Sequence, residues 1–274
     1  MLPWIILTAV LLLVTVTVLI RACRFKPEPQ PEREKIKDKP DTKRITESMS
    51  KMLQFKTISS INKEDVDLKA FSDFIKYIKT RYPKVVKASK ISEHGESGIL
   101  FKIKGKSSAS PSVLMSHYDV VPADGEWIHP PFSGKVTKGR IWGRGALDNK
   151  HSLCGIMEAC EYLLGNKHEF ENDLYLAFSG DEEIIGGSAD AIVEHLAKQK
   201  IKPAIVIDEG GAVVENIFPG VKKRSAVVGI AEKGYLSLEL SATSKGGHAS
   251  APPDDTPVTI LSEAVCRVNK SGIF

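Results

Sequence analysis

The sequence has few cysteines and no closely spaced pair of them. Its 274 residues include four cysteines, Cys23, Cys154, Cys160 and Cys266, and none belongs to a Cys-x-x-Cys motif. This spacing excludes a zinc knuckle and offers no disulfide framework. Cys154 and Cys160 fall in one apolar helical pattern and are expected in the core. Cys23 is expected to be a free thiol, with acylation as the alternative.

A concentration of charge of one sign is also lacking. The chain has 38 Lys and Arg against 34 Asp and Glu, a net charge of +4, and its basic residues are spread along the sequence. Nucleic-acid-binding domains usually cluster their basic residues on one face or one helix. We therefore predict no nucleic-acid partner. No internal repeat is visible, and the length suits one α/β core with part of a second domain.

One long segment has no charge at all. Residues 2–20 are uncharged and approach the ~20 apolar residues of a membrane-spanning helix, and Arg21, Arg24 and Lys26 follow them. We predict that residues 1–24 form a transmembrane signal anchor or a signal peptide. The positive-inside rule would place the next domain in the cytosol. Export is the commoner purpose of such a segment, so we expect a membrane-anchored or secretory-pathway protein with a lumenal or extracellular catalytic domain.

Most of the remaining chain alternates between strand and helix patterns. Residues 25–44 are rich in proline and charge and predict a linker. The alternation after them predicts an α/β fold with a mixed, largely parallel sheet flanked by helices. The predicted strands are 99–103, 113–115, 174–178 and 204–207, and the predicted helices include 149–164 and 188–198.

The pattern changes after Pro219. Residues 225–242 alternate as a pair of strands would, and a helical pattern follows at about 257–269. This change predicts a second, smaller α+β domain that begins at residue 225.

Acids and a histidine follow the predicted strands, at the edge where open α/β sheets bind ligands. The strand at 113–115 runs into His117 and Asp119, whose side chains point the same way if the chain stays extended. His117 would then bind a metal ion while Asp119 orients its ring. A surface pair of residues is the alternative.

Asp148 lies in a glycine-punctuated turn, Gly-Arg-Gly-Ala-Leu-Asp-Asn-Lys, directly before a predicted helix. An aspartate on such a turn can bridge two metal ions about 3.5–4 Å apart. The alternative is that Asp148 or Asn149 caps the helix.

Three consecutive acids, Asp181, Glu182 and Glu183, follow one apolar strand, and Asp208 follows another. Consecutive carboxylates repel one another unless they are solvated or bound to cations, and the apolar approach favours a cation over an exposed turn. Glu183 and Asp208 are candidate ligands, and Glu182 is the candidate general base for hydrolysis of an amide. With His117, these oxygen donors form a mixed set that suits zinc.

These motifs, in this order, resemble the di-zinc metallopeptidase family that includes aminoacylase, carnosinase, glutamate carboxypeptidase and carboxypeptidase S. Two further elements, Pro-Pro-Phe-Ser-Gly and Ala-Pro-Pro, look most like the branch that contains carboxypeptidase S and the N-fatty-acyl amino acid synthase-hydrolases. The other shared elements are Ser-His-Tyr-Asp-Val-Val-Pro, Gly-Arg-Gly-Ala-Leu-Asp-Asn-Lys, Gly-Asp-Glu-Glu, Asp-Glu-Gly-Gly and Gly-His-Ala-Ser-Ala-Pro-Pro.

The resemblance implies a ligand set for two zinc ions. His117 and Asp208 would hold one zinc, Glu183 would hold the second, and Asp148 would bridge them. It also implies that the peptide bond after Asp148 is cis.

Catalytic roles are implied for three more residues. Asp119 would orient the metal-binding histidine, and Glu182 would be the general base. His248 matches the histidine of a lid domain that reaches an active site and stabilises the developing oxyanion.

The resemblance also implies a function and a domain plan. The substrate would be an N-acyl amino acid or a small peptide with a free C-terminal carboxylate, cleaved at its amide bond or formed in reverse. Residues 45–224 would be an incomplete zinc-peptidase catalytic domain, and 225–274 the start of a lid that can form a homodimer. Because no histidine follows His248 in the sequence, we expect a C-terminally truncated chain that lacks one zinc ligand. The alternative is a catalytically impaired, membrane-anchored fragment that acts as a binding or dimerising partner.

Overall fold

The computed structural model describes residues 2–26, 40–231, 234–248, 250, 253 and 255–272. The chain divides into two compact units, Met1–Asp208 and Glu209–Phe274. The predicted domain boundary at residue 225 stays a prediction.

The first helix, α1 (Leu2–Arg24), is apolar along almost its whole length and presents its apolar side chains to the outside. Within the described ranges, it is the one helix that is long and apolar enough to cross a membrane, a test that a signal sequence also passes. Most of the predicted linker, residues 27–39, lies outside the described residues. The next helix starts at Thr42, so the last residues of the predicted linker are helical.

A five-stranded sheet forms the centre of the first unit, with the order β1-β2-β6-β3-β7. The pairs β1–β2 and β2–β6 are antiparallel, whereas β6–β3 and β3–β7 are parallel. The predicted fold class, a mixed sheet with helices on its faces, is confirmed. The sheet strands are β1 (Ser89–His94), β2 (Gly98–Ile103), β3 (Ser107–His117), β6 (Asn172–Ser179) and β7 (Ile205–Ile207), and the short hairpin β4 (Lys135–Thr137) and β5 (Arg140–Trp142) lies between β3 and β6 along the chain.

Helices cover both faces of this sheet. Four pack on one face: α2 (Thr42–Met52), α3 (Leu68–Arg81), α4 (Pro83–Ala88) and α5 (Lys150–Gly165); α6 (Ser188–Lys198) packs on the other. Central strand β6 supplies both cores because its side chains alternate in direction. Leu174, Leu176 and Phe178 join the larger core, and Tyr175 and Ala177 join the core under α6.

The buried cysteines lie in the larger core. Cys154 and Cys160 of α5 are 2% and 3% exposed, as predicted, whereas Cys23 and Cys266 are exposed. All four are free thiols. The structure therefore agrees with a chain that uses cysteine for packing rather than for cross-links.

The second unit contains a short hairpin and a helix. Strand β8 (Ala212–Val214) pairs antiparallel with β9 (Ser225–Val227), and α7 (Pro257–Lys270) starts at a capping box made by Thr256 and Thr259. The helix at 257–269 is confirmed. The predicted strand pair within 225–242 is wrong in its partner, because β9 pairs with a strand that precedes it; residues 228–231 and 234–242 contain no strand.

Candidate metal centre

The candidate site lies at the carboxyl ends of the parallel strands of the sheet. His117 is the last residue of β3 and lies opposite Ser179, the last residue of β6. Asp208 directly follows β7, whose residues pair with β3 in parallel. The topology therefore brings three of the predicted acidic and histidine segments to the carboxyl end of the sheet, where α/β folds bind ligands.

His117 and Asp119 form a buried pair, with exposed fractions of 2% and 0%. Nδ1 of His117 lies 3.2 Å from the main-chain oxygen of Asp119 and 3.3 Å from its carboxylate Oδ1. Both acceptors lie at Nδ1, which leaves Nε2 as the ring nitrogen that faces Asp148 and Glu182. The alternative of a surface pair is wrong, because neither side chain reaches solvent.

Asp119 also holds the turn that carries the two glutamates. Its Oδ1 accepts the backbone N–H of Glu182 at 3.2 Å, and its Oδ2 accepts that of Glu183 at 3.1 Å. One buried carboxylate thus fixes the histidine from β3 and the acidic turn after β6. This second role of Asp119 has no signal in the sequence, because it depends on β3 and β6 being neighbours.

Asp148 reaches the same histidine from a third segment. Its Oδ1 lies 2.8 Å from Nε2 of His117, and the Asp148–Asn149 peptide bond is cis, as the resemblance implied. The turn is tied to β3 by the hydroxyl of Ser116, which donates to the main-chain oxygen of Asn149 at 3.1 Å. Asn149 precedes α5 but makes no side-chain cap hydrogen bond, so the alternative of a capping aspartate or asparagine is wrong.

Carboxylates crowd around this imidazole. Oε2 of Glu182 lies 3.9 Å from Nε2 of His117. Partial burial, with the nearby charges of Asp119, Asp148 and Asp208, raises the pKa of Glu182, although His117 opposes that shift. The pKa of Glu183 is raised by burial and by Asp148. The carboxylates around His117 therefore repel one another, and a bound cation would reduce that repulsion.

Asp181 has a different environment from its two acidic neighbours. Its Oδ2 accepts the backbone N–H of Ser188 at 3.1 Å and the Ser188 hydroxyl at 2.7 Å. The contact attaches the acidic turn to the first residue of α6. Asp181 therefore positions the two glutamates beside it.

Ile185 ends the acidic turn in a left-handed backbone conformation, with φ of 54°. Left-handed conformations cost an L-residue roughly 1–2 kcal/mol, and a β-branched side chain makes such a residue an outlier. The turn holds this conformation through the N–H of Ile185, which donates to the Glu182 oxygen at 2.8 Å, and that of Gly186, which donates to the Asp181 oxygen at 2.7 Å. The side chain of Ile185 is 65% exposed.

Lys150 is a residue of the site region to which sequence reasoning gave no role. It is fully buried, and its Nζ donates to the main-chain oxygen of Phe55 at 2.9 Å and of Met52 at 3.3 Å. Burial lowers the pKa of Lys150 to about 7. The position could have been found, because Lys150 falls on the same helical stripe as the buried Leu153 and Cys154.

His248 belongs to the second unit, where it lies outside any helix or strand and is exposed. Its Nδ1 lies 3.4 Å from the hydroxyl of Ser250. The role implied for His248 stays a prediction.

The donor set fits a divalent metal ion. Two ligand atoms that each lie ~2.0–2.1 Å from a tetrahedral zinc are ~3.3 Å apart. The 2.8 Å between Nε2 of His117 and Oδ1 of Asp148, the two proposed ligand atoms whose separation is known, lies within about 0.5 Å of that value. The imidazole is held from behind by a carboxylate, the usual arrangement for a metal-binding histidine.

Comparison with known families identifies the chain. Residues 113–272 match the peptidase family M20/M25/M40. The chain belongs to this family. That membership confirms the resemblance found in the motifs.

The relatives of the chain also lie in the predicted branch. The N-fatty-acyl-amino acid synthase/hydrolase PM20D1 of Xenopus tropicalis is 37% identical over 236 residues, which are 84% of this chain and 46% of the relative. The probable carboxypeptidase S-like 2 of Dictyostelium discoideum is 34% identical over 235 residues, 83% of this chain and 45% of the relative. The chain thus spans about half the length of the curated relatives that it matches.

Solved structures show the same fold. An M20 family metallo-carboxypeptidase from Sulfolobus solfataricus aligns with a TM-score of 0.50 and 25% identity, over 63% of this chain and 38% of that one. Human carnosine dipeptidase 1 aligns with a TM-score of 0.53 over 63% of this chain and 40% of that one, at 15% identity. The second likeness concerns the fold alone.

Proposed function

We propose that the whole protein is a metal-dependent hydrolase that cleaves the amide bond of N-acyl amino acids or of small peptides with a free C-terminal carboxylate. The observation that carries the proposal is the convergence of Asp148 and Glu182 on Nε2 of the buried His117. The names of the relatives, a synthase/hydrolase of N-fatty-acyl amino acids and a carboxypeptidase S-like protein, support the substrate class. Such an enzyme would also form the amide in reverse.

Two zinc ions are the proposed cofactors of the complete enzyme. His117 and Asp208 would hold one ion and Glu183 the other, with Asp148 between them. Zinc bound there would polarise the amide carbonyl and lower the pKa of a water molecule. Asp119 supports this arrangement because it fixes both His117 and the backbone of Glu183.

Glu182 is the proposed general base. Its raised pKa suits a carboxylate that accepts a proton from the attacking water and then delivers it to the leaving amine nitrogen. The hydrogen bond from its backbone N–H to Asp119 keeps its side chain beside the imidazole. His248 would supply the positive or hydrogen-bonding group that stabilises the oxyanion.

The experiment that tests this function replaces Glu182 by glutamine in the full-length protein. Glu182→Gln keeps the shape of the side chain but cannot accept the proton, so hydrolysis of an N-acyl amino acid should fall by roughly 10²–10⁴-fold. Metal content, measured by mass spectrometry, should stay at the wild-type level. The exposed Glu169 provides the matched control, since Glu169→Gln should leave the rate unchanged. A Glu182→Gln enzyme with a near-normal rate would refute the assignment.

We also propose that α1 anchors the protein in a membrane, with the catalytic unit in the lumen or outside the cell, and that the second unit forms a homodimer. The length and apolar composition of α1 support the anchor. Alkaline extraction of membranes would leave an anchored protein in the pellet and release a protein whose signal peptide had been removed.

A further inference from the structure

We propose that Leu147 and Ile185 are specificity-determining residues that contact the apolar part of the substrate. The inference rests on the proposed function, because it concerns which amide substrates the same site prefers. Two exposed apolar side chains flank the residues of the metal centre along the chain.

Both residues adjoin groups that converge on one imidazole. Leu147 is 86% exposed and directly precedes Asp148, whose carboxylate lies 2.8 Å from Nε2 of His117. Ile185 is 65% exposed and follows the turn that carries Glu182, whose carboxylate lies 3.9 Å from the same nitrogen. A substrate whose amide lies at this imidazole therefore lies beside two segments that each carry an exposed apolar side chain.

The backbone of Ile185 strengthens the case. Five non-glycine residues among those described have positive φ: three lysines, one asparagine and Ile185, which is the one β-branched residue of the set. Strained residues persist where the surrounding structure determines them fully, and they cluster at ligand-binding sites. Here two backbone hydrogen bonds within the turn and the attachment of Asp181 to Ser188 hold the conformation.

The side chain of Ile185 contributes little packing that would offset this strain. A glycine would adopt φ of 54° without a steric penalty, and a side chain that is 65% exposed packs against few neighbours. Apolar surface offered to solvent beside a catalytic turn can instead bury part of a bound substrate. Leu147 presents even more apolar surface beside the opposite acid.

If these side chains contact the substrate, its affinity should increase with the length of its acyl group. Burial of one methylene group contributes about fourfold in affinity when the contact is complete. We expect N-octanoylglycine to bind at least ~10-fold more tightly than N-acetylglycine, because several methylene groups would gain partial contact.

The test measures binding by titration calorimetry and hydrolysis by product formation, in the full-length, zinc-loaded protein. The probes are N-acetyl-, N-butanoyl- and N-octanoylglycine, and binding is measured in the Glu182→Gln background so that the probes stay intact. Leu147→Ser and Ile185→Ser should each reduce the ratio of octanoylglycine affinity to acetylglycine affinity by about threefold or more.

A second comparison separates ligand contact from backbone strain. Ile185→Gly and Lys200→Gly both place glycine at an exposed position with positive φ, 54° and 57° respectively. Neither should lower Tm, because both relieve a left-handed conformation. Only Ile185→Gly should reduce the octanoyl advantage, which a merely structural role of Ile185 would leave unchanged.

The outcomes separate this inference from the proposed function. Equal affinities across the three probes, or an octanoyl advantage that survives in both serine variants, would overturn the role of Leu147 and Ile185. Length-dependent binding that these variants abolish, together with a protein that hydrolyses none of the probes, would support the inference and count against the proposed function.

Discussion

Strands β6 and β7 look alike in the sequence and differ in the structure. Each is an apolar run that ends in acids, the first before Asp181 and the second before Asp208. β6 lies between β2 and β3, and seven of its eight residues are buried. β7 pairs with β3 at the end of the sheet, and its three residues are 50–53% exposed.

The acids that follow the two strands differ in the same way. The turn after β6 is held by the carboxylate of Asp119, which accepts two of its backbone N–H groups, and by the contact of Asp181 with Ser188. Asp208 lies on the exposed continuation of the edge strand. An apolar strand followed by acids thus predicts where metal-binding side chains lie, whereas the segments packed around the strand decide how firmly those side chains are held.

The largest expected effect is a loss of stability on disrupting the core around β6. Leu176 is fully buried between Phe101 of β2 and Leu114 of β3. Leu176→Ala should lower the free energy of unfolding by about 2–5 kcal/mol, because it removes buried methyl groups and leaves a cavity. Urea denaturation in mild detergent, followed by circular dichroism, measures this loss.

The matched change on β7 is Ile207→Ala. Its side chain is 50% exposed, so we expect a loss of about 1 kcal/mol. Losses of equal size on the two strands would show that the edge strand is packed as tightly as the central one.

The next effect concerns the carboxylate that joins β3 to the acidic turn. Asp119→Asn replaces one acceptor oxygen by an NH₂ group that faces a backbone donor. A buried N–H left without an acceptor costs about 1–3 kcal/mol, so the variant should lose that much stability in urea denaturation. It should also bind zinc more weakly in a calorimetric titration, because the orientation of His117 depends on Asp119.

Asp208→Asn is the control for this change. At an exposed position the substitution should alter stability by no more than about 0.5 kcal/mol. If Asp208→Asn destabilised the apoprotein as much as Asp119→Asn, the acid after β7 would be anchored as firmly as those after β6.

The smallest effect is a change in pH dependence at Asp181. Burial raises the pKa of its carboxyl above the ordinary value of 3.8. The native state therefore binds this proton more tightly than the unfolded state, and its contribution to stability is lost as pH rises from 3.8 through the raised native pKa. Asp181→Asn still accepts from Ser188, so at pH 7 the variant should be as stable as the wild type or slightly more stable, by up to about 0.5 kcal/mol.

Denaturation midpoints measured across the acidic range check this sign. The stability of the wild type relative to the variant should fall as pH rises through that window. A relative stability that rose with pH would mean that the ionised carboxylate is the form that the fold prefers at Asp181.

Much of the fold followed from local patterns. The strands at 99–103 and 174–178 and the helices at 149–164 and 188–198 were predicted because the period of the apolar residues is a property of neighbouring positions. The wrong prediction of a strand pair within 225–242 also follows from relying on local patterns. Alternation there predicted strands but contained no information about which segment would pair with β9.

The residues of the candidate site were largely predictable from the sequence, whereas the contacts between them were less so. Glycine and acidic motifs after strands indicated His117, Asp148 and Glu182 before any geometry was known. The buried Lys150 was missed because a lysine is normally expected at the surface, even though it lies on the apolar stripe of α5.

Apolar periodicity and motif order are local properties of the chain, so they are enough to predict β6, β7 and the acids that follow each strand. The central position of β6 and the edge position of β7 follow from packing between distant segments, which local patterns do not specify. The same holds for Asp119, whose hydrogen bond to the Glu182 backbone spans 63 positions. Such a bond exists only once the sheet has brought the ends of β3 and β6 together.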